Sequence, residues 1–227
     1  RTMLRLFYGG TFDPIHNGHL AIARAARDAL CVTVRLMPAA DPPHRAPPGA
    51  SAAQRAHLLN LAVQGEEGLC VDRRELRRAA RLPGSRSYTV DTLRELRMEL
   101  GDEAPLALLI GADSLLGLPG WHEWRALFGL AHFVVADRPG NPLDAGLPPD
   151  LADALASRWT SEADALGRAS AGLVYRLDHP LQPESATDIR RRISTGEPWR
   201  HLVPARVAKA IADERLYLDR AATHGPL

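Results

Sequence analysis

Two histidines three residues apart, His16 and His19, stand in the run Gly9-Gly10-Thr11-Phe12-Asp13-Pro14-Ile15-His16-Asn17-Gly18-His19. The run follows an apolar, strand-like segment and leads into a helical pattern, so it belongs at the carboxyl end of a strand. Glycines there let backbone amides come close to a ligand, and the helix N-terminus adds a positive end suited to phosphate. If both histidines lie in the first helical turn they share a face, and two imidazoles can then donate hydrogen bonds to phosphate oxygens. Gly18 between them leaves the space above the helix open. Zinc binding is the competing chemistry, but no HExxH pattern follows and no cysteine or third histidine is near, so no metal ligands are expected.

Other residues have types and positions that suit the same ligand class. Asp113 follows the apolar run Leu106–Ile110 and Gly111, which puts its carboxylate at the ligand edge of a sheet, in reach of ribose hydroxyls. Ser185, Thr187 and Arg190 open a helix, where hydroxyls, free amides and a guanidinium can hold polyphosphate. His44 and Arg45 lie on the proline-stiffened loop Pro38–Pro48. Trp121 lies in a Gly-Pro-flanked turn, and Tyr88 and Thr89 begin another helix. Taken singly, each has an ordinary alternative: an N-cap for Ser185 and Asp113, an exposed loop for His44 and Arg45.

Strands and helices must alternate to bring these positions together. Met3–Tyr8, Val32–Met37, Leu69–Val71, Leu106–Ile110, Phe133–Ala136 and Leu173–Leu177 read as strands. Most are too continuously apolar for a sheet wetted on one side, as expected where helices cover both faces. Helical patterns occupy Gly18–Leu30, Ala52–Val63, Val90–Leu100, Glu123–Leu130 and Pro149–Ser157, and two more, near Ala186–Ile193 and Ala205–Leu216, close the chain, separated by the Gly196–Pro198 break. Ser51 and Gln54 form a capping box ahead of the second helix. The expected architecture is α/β, a doubly wound and mostly parallel sheet, Rossmann-like, with a small C-terminal helical part at about 185–218. No linker or repeat divides residues 1–227, so one domain is expected.

Composition narrows the classes further. With 28 basic and 27 acidic residues the formal charge is +1, which gives no bulk field to recruit nucleic acid or an anionic membrane. Lys209 is the only lysine, so phosphate-binding cations must be arginine or histidine. Cys31 and Cys70 sit in apolar contexts and are expected as reduced residues in buried strands. No apolar run approaches the length of a membrane span and no signal-peptide pattern is evident, so a cytoplasmic protein is expected.

The motif Gly9–His19 resembles the signature of the nucleotidyltransferase superfamily, whose (H/T)xGH element binds a nucleoside triphosphate. Six further blocks, in order, resemble bacterial nicotinate-mononucleotide adenylyltransferases: Pro42-Pro43-His44-Arg45, Ser87-Tyr88-Thr89 with Asp91-Thr92-Leu93, Ile110–Leu115, Leu118–Trp121, Arg138-Pro139-Gly140 and Ser185–Arg190. The resemblance spans Phe7 to about Tyr217. It implies adenylyl transfer from ATP to nicotinate mononucleotide, giving deamido-NAD and pyrophosphate, with Mg²⁺ bound along with ATP. It implies that His16, His19 and Arg190 act on the reacting phosphates. ATP would also meet Gly9, Gly10, Thr11, Phe12, Gly111, Asp113, Ser185 and Thr187. The mononucleotide would meet His44, Arg45, Tyr88, Thr89, Trp121 and Arg138, with Trp121 stacked on the pyridine. Partners would be these small molecules, with homo-oligomer formation left open. The family usually has an aliphatic residue where this chain has Glu184. Related transferases lack the combined Ser-Tyr-Thr and Trp blocks, and a class I aminoacyl-tRNA synthetase needs a lysine-rich second signature that a single lysine cannot supply.

Overall fold

Every strand expected from the sequence forms, and a short seventh joins them. The structure, a computed structural model, describes residues 3–42, 49–137, 143, 146–179 and 182–218. In chain order the elements are β1 (Arg5–Gly10), α1 (Asn17–Leu30), β2 (Val34–Pro38), α2 (Ala52–Val63), β3 (Leu69–Val71), α3 (Arg74–Arg81) and α4 (Thr89–Leu100). They continue with β4 (Leu106–Gly111), α5 (Ala112–Leu116), β5 (His132–Ala136), α6 (Pro149–Leu155), β6 (Trp159–Thr160), β7 (Val174–Leu177), α7 (Ala186–Thr195) and α8 (Ala205–Asp213). The sheet order is β3-β2-β1-β4-β5-β7-β6, and every pairing is parallel. The chain turns back on itself between β1 and β4, the place in a doubly wound sheet where ligands enter at the carboxyl ends of the strands.

Strand side chains alternate between two cores. Leu6, Tyr8, Val34, Leu36, Ala107 and Leu109 pack with Leu20, Leu58, Leu59, Ile189, Val207 and Ile211 on the face covered by α1, α2, α7 and α8. Phe7, Met37, Leu108, Ile110, Phe133 and Val135 pack on the other face with Val90, Leu93 and Leu96 of α4, Leu115 of α5 and Leu151 of α6. Burial on both faces is why these strands read as continuous apolar runs.

Several local expectations differ. Cys31 is exposed rather than in a strand: it closes α1 in the left-handed region at φ 54°, and β2 begins only at Val34. Cys70 is half-buried in β3, and both thiols are free. Glu123–Leu130 is a 3₁₀ stretch over Trp124–Gly129 rather than an α-helix. The last helix ends at Asp213. The sequence reading did not anticipate α3, whose RELRRAAR has no apolar stripe and is held by charge instead. Arg74 donates to Asp72 and Glu99, and Arg78 to Glu95. Nor did it anticipate β6, two residues at the sheet edge, or α5, a helix of five residues.

Candidate functional site

The Gly9–His19 motif is a tightly built turn. Phe12 takes φ 52°, rare for an aromatic residue, and its buried ring folds back edge-on to Tyr8 and His19, with centroids 5.3 and 5.0 Å away. That ring fills the space beside Gly10: a Cβ there would lie 3.1–3.3 Å from it. Gly10 is therefore needed for the turn's own packing as much as for ligand approach.

His16 is the N-cap of α1, where its Nδ1 accepts the amides of Gly18 and His19 at 3.0 and 3.3 Å. His19 returns the contact, since its Nδ1 accepts the His16 amide at 3.1 Å. This is a capping box made of two imidazoles. A ring nitrogen that accepts an N–H carries no proton, so each neutral ring holds its proton on Nε2. Burial pushes His16 down to about 4 and His19 well below the usual histidine range, with His16 adding to the shift. The rings stack at 3.6 Å and 23°. The result is a pair of neutral, fixed Nε2–H donors side by side.

The pair borders a cleft of about 510 Å³ at the β1–β4 switch point. Gly9, Gly10, Phe12, His16 and His19 line it with Gly111 and Asp113 at the end of β4 and Ser185 at the start of α7. These eight residues were all expected to meet ATP. Asp113 is not a cap, because α5 starts at the N-cap Gly111 and Asp113 lies exposed in the first turn. Ser185 is both: its Oγ accepts the Asp188 amide at 3.0 Å while the residue faces the cleft.

Thr11, Thr187 and Arg190 are placed differently. Thr11 is exposed, and its carbonyl accepts from Arg55 at 2.6 Å. Arg190 donates through Nη1 to the Asp13 carbonyl at 2.7 Å and through Nη2 to the Thr187 hydroxyl at 3.3 Å. Its guanidinium thus ties α7 to the motif turn. Arg191 and Arg192 pair with Asp188 on their own helix.

Tyr88 and Trp121 do not line the motif cleft; both are half-buried against the core face that includes α4. Tyr88 is the N-cap of α4 without a side-chain cap bond, so Thr89 is the first helical residue, as expected. The Tyr88 ring stacks on His122, beside Trp121, at 4.2 Å and 23°. Glu123, at φ 50°, receives a two-bond contact from Arg94 of α4, both bonds 3.0 Å. That contact fixes the Trp121 turn against α4. His44, Arg45 and Arg138 lie outside the described residues.

Four residues that hold this site were not singled out from the sequence. Arg55, on the buried face of α2, donates to the carbonyls of Thr11, Ala39 and Ala50 and to Asp41. It joins the motif turn to both ends of the loop that carries His44 and Arg45. Asp13, only 4% exposed, accepts the Ala50 amide and the Tyr217 hydroxyl on Oδ1. A Cβ on Gly49 would fall 2.1 Å from Asp13 Oδ2, so only glycine fits there. Burial and the Asp13 carboxylate keep the Tyr217 phenol protonated. The available signal was Arg55 falling in phase with Ala52, Ala56 and Leu59 on an otherwise apolar helical stripe.

The profile of the cytidylyltransferase-like family matches residues 7–192. A protein named "probable nicotinate-nucleotide adenylyltransferase" from Stenotrophomonas maltophilia (strain K279a) is 62% identical over 214 residues, covering 94% of this chain and 96% of its own. A protein of the same name from Xylella fastidiosa (strain 9a5c) is 47% identical with the same coverage. Among solved structures, the Plasmodium falciparum nicotinic acid mononucleotide adenylyltransferase complexed with NaAD superposes with a TM-score of 0.70. It covers 95% of this chain and 97% of its own at 13% identity, a likeness of fold. With the profile matched across the sheet and the cleft, and relatives of this identity covering nearly all of it, the chain belongs to the cytidylyltransferase-like family and, within it, to the bacterial nicotinate-nucleotide adenylyltransferases.

Proposed function

We propose that this chain transfers the adenylyl group of ATP to nicotinate mononucleotide, giving deamido-NAD and pyrophosphate. A phosphate oxygen of the mononucleotide attacks the α-phosphorus, and the bond from that phosphorus to the α–β bridging oxygen breaks. The nucleophile is already a dianion, so the reaction needs no base and no covalent intermediate. What it needs is alignment and relief of the charge that builds on the bridging oxygen. The observation that carries this reading is the stacked His16–His19 pair, with Nδ1 committed to the backbone and Nε2–H left as a donor on each ring. Because burial keeps both rings neutral, they act as hydrogen-bond donors aimed at phosphate oxygens rather than as preformed cations.

In this reading Gly9, Gly10, Phe12, Gly111, Asp113 and Ser185 hold ATP, with Thr11 and Thr187 at the margin of the cleft. Arg190 acts first as a positioning residue, since two of its donors are engaged within the protein. Tyr88, Thr89 and Trp121 receive the pyridine end, the first free amides of α4 meeting the carboxylate and Trp121 the ring. His44, Arg45 and Arg138 supply cations for the mononucleotide phosphate. Among the described residues no group of three or more His, Cys, Asp or Glu could hold a metal by itself. Mg²⁺ would enter on the triphosphate and neutralise phosphate charge there. In this reading the reaction, whose two substrates are phosphorylated metabolites, runs in the cytoplasm; among the described residues no helix is long and apolar enough to cross a membrane.

Pyrophosphate release from ATP and nicotinate mononucleotide tests the reading. Release should require both substrates and stop in excess EDTA. ATP binding without pyrophosphate release would instead make the protein a nucleotide sensor.

A further inference from the structure

Among the described residues two buried side-chain polar atoms have no hydrogen-bond partner, Glu184 Oε2 and Arg190 Nε. Glu184 stands just before the N-cap of α7, and Arg190 lies in the helix's second turn. One is an acceptor and the other a donor, yet they do not answer each other. A buried polar group left unpaired costs about 1–3 kcal/mol, and of the two residues only Glu184 lines the cleft, so its position calls for a ligand atom. Glu184 lines the motif cleft with His16, Gly18 and Ser185. Its Oε2 lies 3.3 Å from the point where a Gly18 Cβ would stand, and His16 Cε1 lies 2.9 Å from that point. The carboxylate therefore sits beside the histidine pair, on the wall assigned above to the polyphosphate.

A carboxylate facing a polyphosphate is repelled by it unless a cation stands between them. A divalent cation reverses the sign, because Mg²⁺ takes one or two carboxylates together with substrate phosphate oxygens. We infer that Glu184 is a protein ligand of the divalent cation that enters with the nucleoside triphosphate. A metal-bound polyphosphate in the cleft brings the cation to the orphaned Glu184 Oε2, whereas Arg190, which does not line the cleft, stays bonded to Asp13 and Thr187. This inference rests on the proposed use of ATP and adds to it a ligand from this chain.

The test is Mn²⁺ binding, read by electron paramagnetic resonance, on the full-length protein with a non-hydrolysable ATP analogue. Glu184→Gln, and Glu184→Leu as a second variant should the first not fold, should weaken Mn²⁺ binding to the enzyme–nucleotide complex by about tenfold. The Mg²⁺ concentration that half-saturates pyrophosphate release should rise in parallel. Metal-free nucleotide should bind the variants at least as tightly as it binds the wild type, since a repulsive charge is gone. Unchanged Mn²⁺ affinity in a folded variant, with the wild type active, overturns the role of Glu184 and leaves the proposed function standing. Absence of the Mn²⁺–nucleotide complex on the wild type overturns both.

Discussion

Gly18→Ala separates the stability of the His16–His19 pair from its position. An added Cβ would stand 2.9 Å from His16 Cε1 and 3.0 Å from His16 Nδ1. Carbon atoms rest at about 3.5–4.0 Å, so the ring must retreat by roughly half an ångström or more. It has little slack. The residue is 6% exposed, its ring stacks on His19 at 3.6 Å, and its weaker cap bond, to the His19 amide, is already 3.3 Å. Retreat should break that bond, at about 1 kcal/mol for a weakened N-cap. Replacing glycine by alanine within the helix returns about 0.5–1 kcal/mol. The two nearly cancel, and for a chain of this size the melting temperature should move by less than about 4 °C. Catalysis has no such compensation. Both Nε2–H donors shift with the ring, and a displacement of this order at reacting atoms costs up to about 10²-fold in kcat. Pyrophosphate release under saturating substrates and a thermal melt decide the matter. A normally folded variant with kcat within about threefold of wild type would refute the claim that the pair's placement carries the chemistry.

Substrate choice tests the second locus. Free amides at the start of α4 offer donors only, so the nicotinate carboxylate should be preferred over the nicotinamide amide by about 10²-fold in kcat/KM. Trp121→Ala should weaken both mononucleotides by about 1–3 kcal/mol and leave their ratio unchanged, and equal wild-type use of acid and amide would remove the carboxylate site from Thr89. Burial lifts Glu75 to about 7, so between pH 4.5 and 7 the folded chain holds a proton that the unfolded chain releases, and stability falls as pH rises through that window. Glu75→Gln should therefore gain on the order of 2–3 kcal/mol at pH 8 and almost nothing near pH 4.5, measured by denaturant titration at both. Arg55→Met strands the carbonyls of Thr11, Ala39 and Ala50. It should cost about 2–4 kcal/mol, or roughly 5–10 °C, and an unchanged melting temperature would show the anchor to be dispensable.

Periodicity and motif order alone specified a doubly wound parallel sheet and located His16, His19, Asp113 and Ser185 near its ligand edge. Those features are local, or follow from both faces of each strand being apolar. Charge-held α3 was invisible because its stability comes from Asp72, Glu95 and Glu99, which lie outside its own sequence. Cys31 misled because an apolar neighbourhood reads as strand, whereas a left-handed helix end is set by how α1 meets β2. The chemistry of the histidines was equally hidden. Their spacing places them on one turn, but only the folded backbone aims three amides at the two Nδ1 atoms, excludes water, and so makes two neutral donors of two potential cations. Long-range anchors decide the rest. Arg55 reaches Thr11 across 44 positions and Tyr217 reaches Asp13 across 204, contacts that no local pattern encodes, because they exist only once the sheet has brought both ends of the chain to the same edge.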